Sequence, residues 1–207
     1  MLGLPALRRP GEGRGRAAFV KDTGPRPSPG RRAAAVFLLA LVTACTPRFD
    51  WREVRPPDAG FAIALPGRPQ VETRELDFDG GKVSMTMASA GVGRTLFAAG
   101  AAPLPAAALA PERLEATVGW FRDALLRNVS ATDSRSQTAP ALRGVQTRAA
   151  LAVAAAGRPG KDGRSVQLAA RFYVADDRLY QVVAFGAEDE IPPQALETFF
   201  DSFRLVR

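Results

Sequence analysis

Two neighbouring segments near the C-terminal end limit the fold more than any other part of the chain. Residues 165–174 and 178–185 each read as a β-strand, and Ala175-Asp176-Asp177 between them makes the pair a hairpin. Both carry apolar side chains on each face: Phe172 and Val174 oppose Tyr173, and Val183 and Phe185 oppose Tyr180 and Val182. A strand that is apolar on both sides needs cover on both sides, so this hairpin predicts the middle of a sheet held between two layers.

The rest of the chain supplies neighbours and cover. Phe61, Ile63 and Leu65 alternate with Ala62 and Ala64 until Pro66-Gly67, a period-2 strand. Residues 71–78 form a weaker strand, Asp79-Gly80-Gly81 a tight turn with positive φ, and residues 82–89 a strand with Val83, Met85 and Met87 on one face and Lys82, Ser84 and Thr86 on the other. Further strands are expected at 95–101 and 142–154, the latter with Val145, Thr147, Ala149, Leu151 and Val153 on one side. Residues 130–138 read as a polar loop and 157–164 as an exposed connection. The period changes over 111–128, where Leu114, Val118, Phe121 and Leu125 form one helical stripe, with Pro111 at the start, Glu112 and Glu115 early and Arg127 late. Pro192-Pro193 opens a last helix whose Leu196, Phe199, Phe200 and Phe203 read as core rather than as a partner-binding stripe. The expectation is an α+β layered domain: a central antiparallel β-sheet of about six strands flanked by helices.

The N-terminal part is different in kind. Residues 1–30 hold six Gly and five Pro among scattered arginines, a composition that buries no core and reads as disordered. After Arg31-Arg32 come ten uncharged apolar residues, 33–42, spanning as a helix only about 15 Å, half the hydrocarbon thickness of a bilayer. A basic stretch, a short apolar stretch and small residues are the parts of a secretory signal. The sequence then runs Leu41-Val42-Thr43-Ala44-Cys45, which resembles a bacterial lipobox. That resemblance implies a diacylglycerol thioether on Cys45, cleavage just before it and acylation of the new amino terminus. Two or more chains are needed for a lasting hold, since one alone anchors only marginally. Thr46, where an aspartate would signal inner-membrane retention in that family, favours the outer membrane on its periplasmic face, or the outer face of the plasma membrane where there is no outer membrane. The expected organisation is a leader and signal peptide over 1–44, a tether over 45–57 and a folded domain over 58–207.

Charge follows the same division. The chain's formal +7 comes from 28 Lys and Arg against 21 Asp and Glu, yet eight of the basic and only two of the acidic residues precede Cys45, which leaves 20 against 19, a net +1. A near-neutral domain gives no support to nucleic-acid binding. With no histidine and a single cysteine, His-dependent triads, His-ligated metals, disulfide frameworks and zinc clusters are excluded by inventory.

The opening Gly60-Phe61-Ala62-Ile63-Ala64-Leu65-Pro66-Gly67-Arg68-Pro69 resembles that of bacterial PsbP-like domains. The closing blocks, Arg171-Phe172-Tyr173-Val174, Arg178-Leu179-Tyr180-Gln181-Val182 with Gly186, and Phe200-Asp201-Ser202-Phe203-Arg204-Leu205, resemble the same family. The resemblance implies a central antiparallel sheet between helical layers and a domain that binds protein partners, with no catalytic motif to carry over.

Other chemistry is weaker. The stretch 155–162 fails a phosphate-binding loop at Ala155 and Asp162 and leads into a strand. Glu188-Asp189-Glu190 lacks the spacing of a cation site. Lys82 and Ser84 share a face expected to meet water, where the lysine keeps its charge. Asn128-Val129-Ser130 matches a glycosylation acceptor in form only. The expectation is therefore a membrane-anchored, non-catalytic lipoprotein that binds a protein partner, without cofactor, metal or nucleic acid. An envelope hydrolase with an unrecognised site and a carrier of a small apolar ligand are the alternatives. An apolar pocket on one sheet face would favour the carrier, and a cleft with buried acids the enzyme.

Overall fold

The computed structural model describes residues 48–79, 81–159, 164–187 and 190–206. The leader, Cys45, Gly80, residues 160–163 and Glu188-Asp189 lie outside the described residues.

Among the described residues, ten strands and two α-helices follow in the order β1 (Trp51–Val54), β2 (Phe61–Pro66), β3 (Gln70–Phe78), β4 (Gly81–Val92), β5 (Thr95–Pro103), a 3-10 turn (Ala106–Leu109), α1 (Pro111–Asn128), β6 (Ala131–Thr138), β7 (Ala149–Gly157), β8 (Val166–Ala175), β9 (Arg178–Gly186), α2 (Pro193–Ser202) and β10 (Arg204–Leu205). Seven strands form a large antiparallel sheet in the order β3-β4-β5-β9-β8-β7-β6, while β1-β2-β10 form a small one. The fold is mixed α/β, and its main sheet is larger than the six strands expected.

The β8–β9 hairpin lies in the inner part of that sheet, and its alternation feeds two cores. Tyr173, Tyr180, Val182 and Ala184 join a first core with Phe61, Ile63, Leu65, Phe97, Phe199, Phe200 and Phe203, supplied by β2, β5 and the α2 region. Phe172, Val174, Leu179 and Val183 join a second with Phe78, Val83, Met85, Val118 and Phe121, supplied largely by β3, β4 and α1. Ser202 ties α2 to the small sheet: its Oγ donates to Phe199 O at 2.7 Å and accepts the Ala64 N–H at 3.0 Å. Thr117 Oγ1 fixes α1 by donating to Ala108 O at 2.9 Å.

Three stretches depart from the sequence reading. Residues 131–138, expected as a loop, form edge strand β6 paired with β7. All but Ala131 are exposed, so no apolar alternation marks them, and the polar and charged side chains suit an unpaired edge. The strand expected from 142 begins only at Ala149. Leu142 and Val145 pack against the first core from a turn around Gly144 at φ +69°, so their spacing imitates a strand. Trp51–Val54, inside the stretch assigned to a tether, pairs with β2, and Trp51 stacks on Phe49 at 5.7 Å and meets Phe97 edge-on at 5.9 Å. At the β3–β4 turn Asp79 takes positive φ, 50°, a conformation Asp tolerates better than most residues.

Candidate functional site

On the α1 side, the large sheet is covered unevenly. Beside α1 an open groove of about 480 Å³ runs over β3, β4, β5 and β9. Its floor is Met85, Ala98 and Val183, all buried, and its helical wall includes Phe121 and Leu125. Leu76, Met87, Leu96, Trp120, Leu125 and Phe185 are only half-buried and line the opening. Volume and lining are those of a small-molecule site, which is concave and mostly apolar with a few polar groups.

Local sequence makes the hollow. Strand alternation turns Leu179, Gln181, Val183 and Phe185 to this face, and the β5 residues beside them are small: Gly100 pairs with Gln181, and Ala98 with Val183. A Cβ on Gly100 would come within 3.0 Å of Met87 Cγ and 3.1 Å of Met85 Cε, so the glycine gives both methionines room. Such side chains are flexible and adapt to varied shapes.

The polar groups sit apart from one another. Glu72 and Arg74 on β3 form an exposed ion pair at 2.8 Å, Ser89 and Asn128 stand at one end, and Gln181 is the polar side chain from the inner strands. The far end holds an aromatic cluster in which Phe78 meets Trp120 edge-on at 5.2 Å and stacks on Phe121 at 5.5 Å.

Of the residues singled out in the sequence for possible chemistry, Asn128, Val129 and Pro159 border the groove, and the others do not. Lys82 is exposed and pairs with Glu75 at 3.1 Å, and Ser84 is exposed beside it in sequence. Ala155 is buried in β7, and strand β8 follows the connection that contains 160–163. Glu190 accepts from the Arg94 N–H at 2.9 Å and from Arg94 Nε at 2.7 Å, and these contacts hold its carboxyl below its ordinary value. Phe199, Phe200 and Phe203 are buried; Leu196 is partly so. The buried polar residues among those described are Thr95 and Thr117, and no group of three or more His, Cys, Asp or Glu among them could hold a metal. No helix among the described residues is long and apolar enough to cross a membrane.

The groove was not legible in the sequence. Its signal, had it been read, was Trp120, a large aromatic beside the α1 stripe rather than on it, together with Gln181 in an otherwise apolar strand. No family model matches the chain, and no curated protein matches it.

Proposed function

We propose that this chain is a membrane-anchored, non-catalytic lipoprotein of the cell envelope, tethered through Cys45, whose PsbP-like domain binds an apolar ligand. The groove between α1 and the sheet carries the binding half of the reading. The lipobox-like run 41–45 and the opening and closing sequence blocks support the anchor and the family.

Size favours a small molecule over a protein partner, since about 480 Å³ lies within the range of small-molecule sites. Strand addition at β3 would have to proceed along a strand carrying Glu72, Arg74, Glu75 and Asp77, charges of the kind that protect an edge. A small apolar molecule is the better occupant; a protein partner, implied by the family resemblance, is the second reading.

Two measurements test the proposal. Cys45→Ser is expected to move the protein from the membrane to the soluble fraction, and continued membrane fractionation would remove the anchor. Organic extraction of the natively purified protein is expected to yield a stoichiometric apolar molecule, lost when Ala124→Phe fills the groove wall. A protein crosslinked at Trp120, with nothing extractable, would favour the second reading.

A further inference from the structure

The groove has a direction, and its direction points to the source of the ligand. The end of the large sheet at which Leu96 pairs with Phe185 and Gly186 with Gln167 is here called the near end. Ser89 and Asn128 line the groove at this end, here called its mouth, together with Leu96, Val129, Pro159 and Phe185. At the opposite end stands the Phe78–Trp120–Phe121 cluster. Between the two ends the groove is mostly apolar, with Gln181 from β9 and the Glu72–Arg74 pair on its β3 side.

The near end is also where the chain joins the domain. Arg48 donates to Glu190 O at 3.2 Å, and Glu190 grips Arg94 in the β4–β5 turn. The Gly67 N–H donates to Asp50 O at 2.7 Å. Three residue steps separate Arg48 from Cys45, a span of at most about 11 Å. With the anchor proposed above, chain length keeps the near end within that reach of Cys45.

We infer that the groove takes a single acyl chain of an amphiphile drawn from the membrane that anchors the protein, with the polar head left at the mouth beside Ser89 and Asn128. The apolar slot matches a chain without side branches, Met85 and Met87 accommodate its bends, and the mouth's amide and hydroxyl offer hydrogen bonds to a head group. This rests on the anchor and the binding site proposed above, and adds the class of ligand and the face from which it arrives.

Trp120 in the groove wall reports occupancy. In the full chain carrying Trp51→Phe it is the one tryptophan left. The protein is placed in vesicles of phosphatidylethanolamine and phosphatidylglycerol whose acyl chains are brominated at mid-chain, a contact quencher of indole emission. Flotation of the vesicles reports anchoring independently. The expected result is loss of most Trp120 emission in the floated protein, restored by Ala124→Phe at unchanged flotation. A second arm uses the Trp51→Phe, Cys45→Ser chain with brominated lysophospholipid below its micelle concentration, where the same quenching is expected. Floated protein with unquenched Trp120 overturns the inference, whatever the second arm gives. Failure to float, with quenching in the second arm, overturns the anchor and the membrane-facing mouth while leaving the groove as the amphiphile site. Quenching unaffected by Ala124→Phe in both arms also overturns it, because the bromine would then be reaching Trp120 from outside the groove.

Discussion

Phe203→Ala tests the packing on which the covered face of the sheet depends. Phe203 is 6% exposed and lies where α2 gives way to β10. Its ring stacks on Tyr173 at 6.0 Å and meets Phe61 at 5.7 Å and Tyr180 at 6.1 Å, so it joins strands of both sheets. Truncating a buried Phe to Ala costs about 3–5 kcal/mol, and aromatic pairs contribute about 0.5–1.5 kcal/mol each within such a figure. The upper half of the range is expected, because Phe203 also seats the Arg204↔Ala62 and Leu205↔Phe61 pairings of β10. Urea unfolding followed by tryptophan emission measures it: Trp51 packs against the first core and Trp120 against the second, so their coincident transitions also test cooperativity. The midpoint should fall with the slope unchanged. Leu196→Ala, at a partly buried position, should cost clearly less. A loss below about 1 kcal/mol for Phe203→Ala would refute the reasoning, since it would place the ring against solvent.

Three further outcomes follow from geometry and charge. Gly157→Ala puts a Cβ 2.1 Å from Val129 O, a backbone atom that cannot turn aside, and should cost on the order of 4 kcal/mol or more; Gly144→Ala, at φ +69° in open space, should cost only about 1. A smaller thermal shift for Gly157→Ala than for Gly144→Ala would contradict this. Tyr173 and Tyr180 are the only tyrosines, and burial holds both phenols above the ordinary value of 10.0, so tyrosinate absorbance should rise above pH 10.0 in the folded chain and at about that pH in urea. Their contribution to stability is intact below the unfolded value and is lost as pH rises through the folded ones; coincident midpoints would argue against burial. Glu190 is shifted the other way, by the Arg94 backbone N–H and then its side chain, so its contribution is present above the ordinary 4.5 and lost as pH falls through the lowered value. The stability difference between wild type and Glu190→Gln should accordingly be flat at neutral pH and shrink in acid; a difference independent of pH would show that the carboxylate charge plays no part.

Legibility in the sequence followed coverage. β8 and β9 are packed on both faces, and 165–174 and 178–185 lie within a residue or so of their limits. α1 has one apolar stripe against a sheet, and its expected 111–128 coincides with Pro111–Asn128. Strand β6 packs almost nothing, so its sequence carries turn-like polar residues and no period; backbone pairing with β7 alone makes it a strand. Leu142 and Val145 show the converse error, because burial from a loop writes the same apolar spacing as burial from a strand. Residues 71–78 read as a strand, within the observed Gln70–Phe78, despite their exposure, because the turn at Asp79 and the strong strand after it frame them.

The groove was hidden for a different reason: it is an absence of cover, and no single residue encodes it. Seven strands about 4.8 Å apart span roughly 29 Å, whereas one helix with its side chains is about 10–12 Å wide. On the first-core side the small sheet and α2 both supply cover. On the other, the described residues supply one long helix and a 3-10 turn of four residues, and α1 lies beside β6 and β7. A deficit of cover over β3, β4, β5 and β9 follows from that count alone. A chain with no ligand to seat would be expected to place polar side chains on the uncovered strand faces, as it does on β6. Here Leu76, Met87, Leu96 and Phe185 stand there instead, each half-buried in the groove that Trp120 also lines. Keeping large apolar groups on bare sheet costs solubility and invites association. That cost is offset if the slot is filled for most of the protein's life, as it would be for a domain held with its mouth against a bilayer.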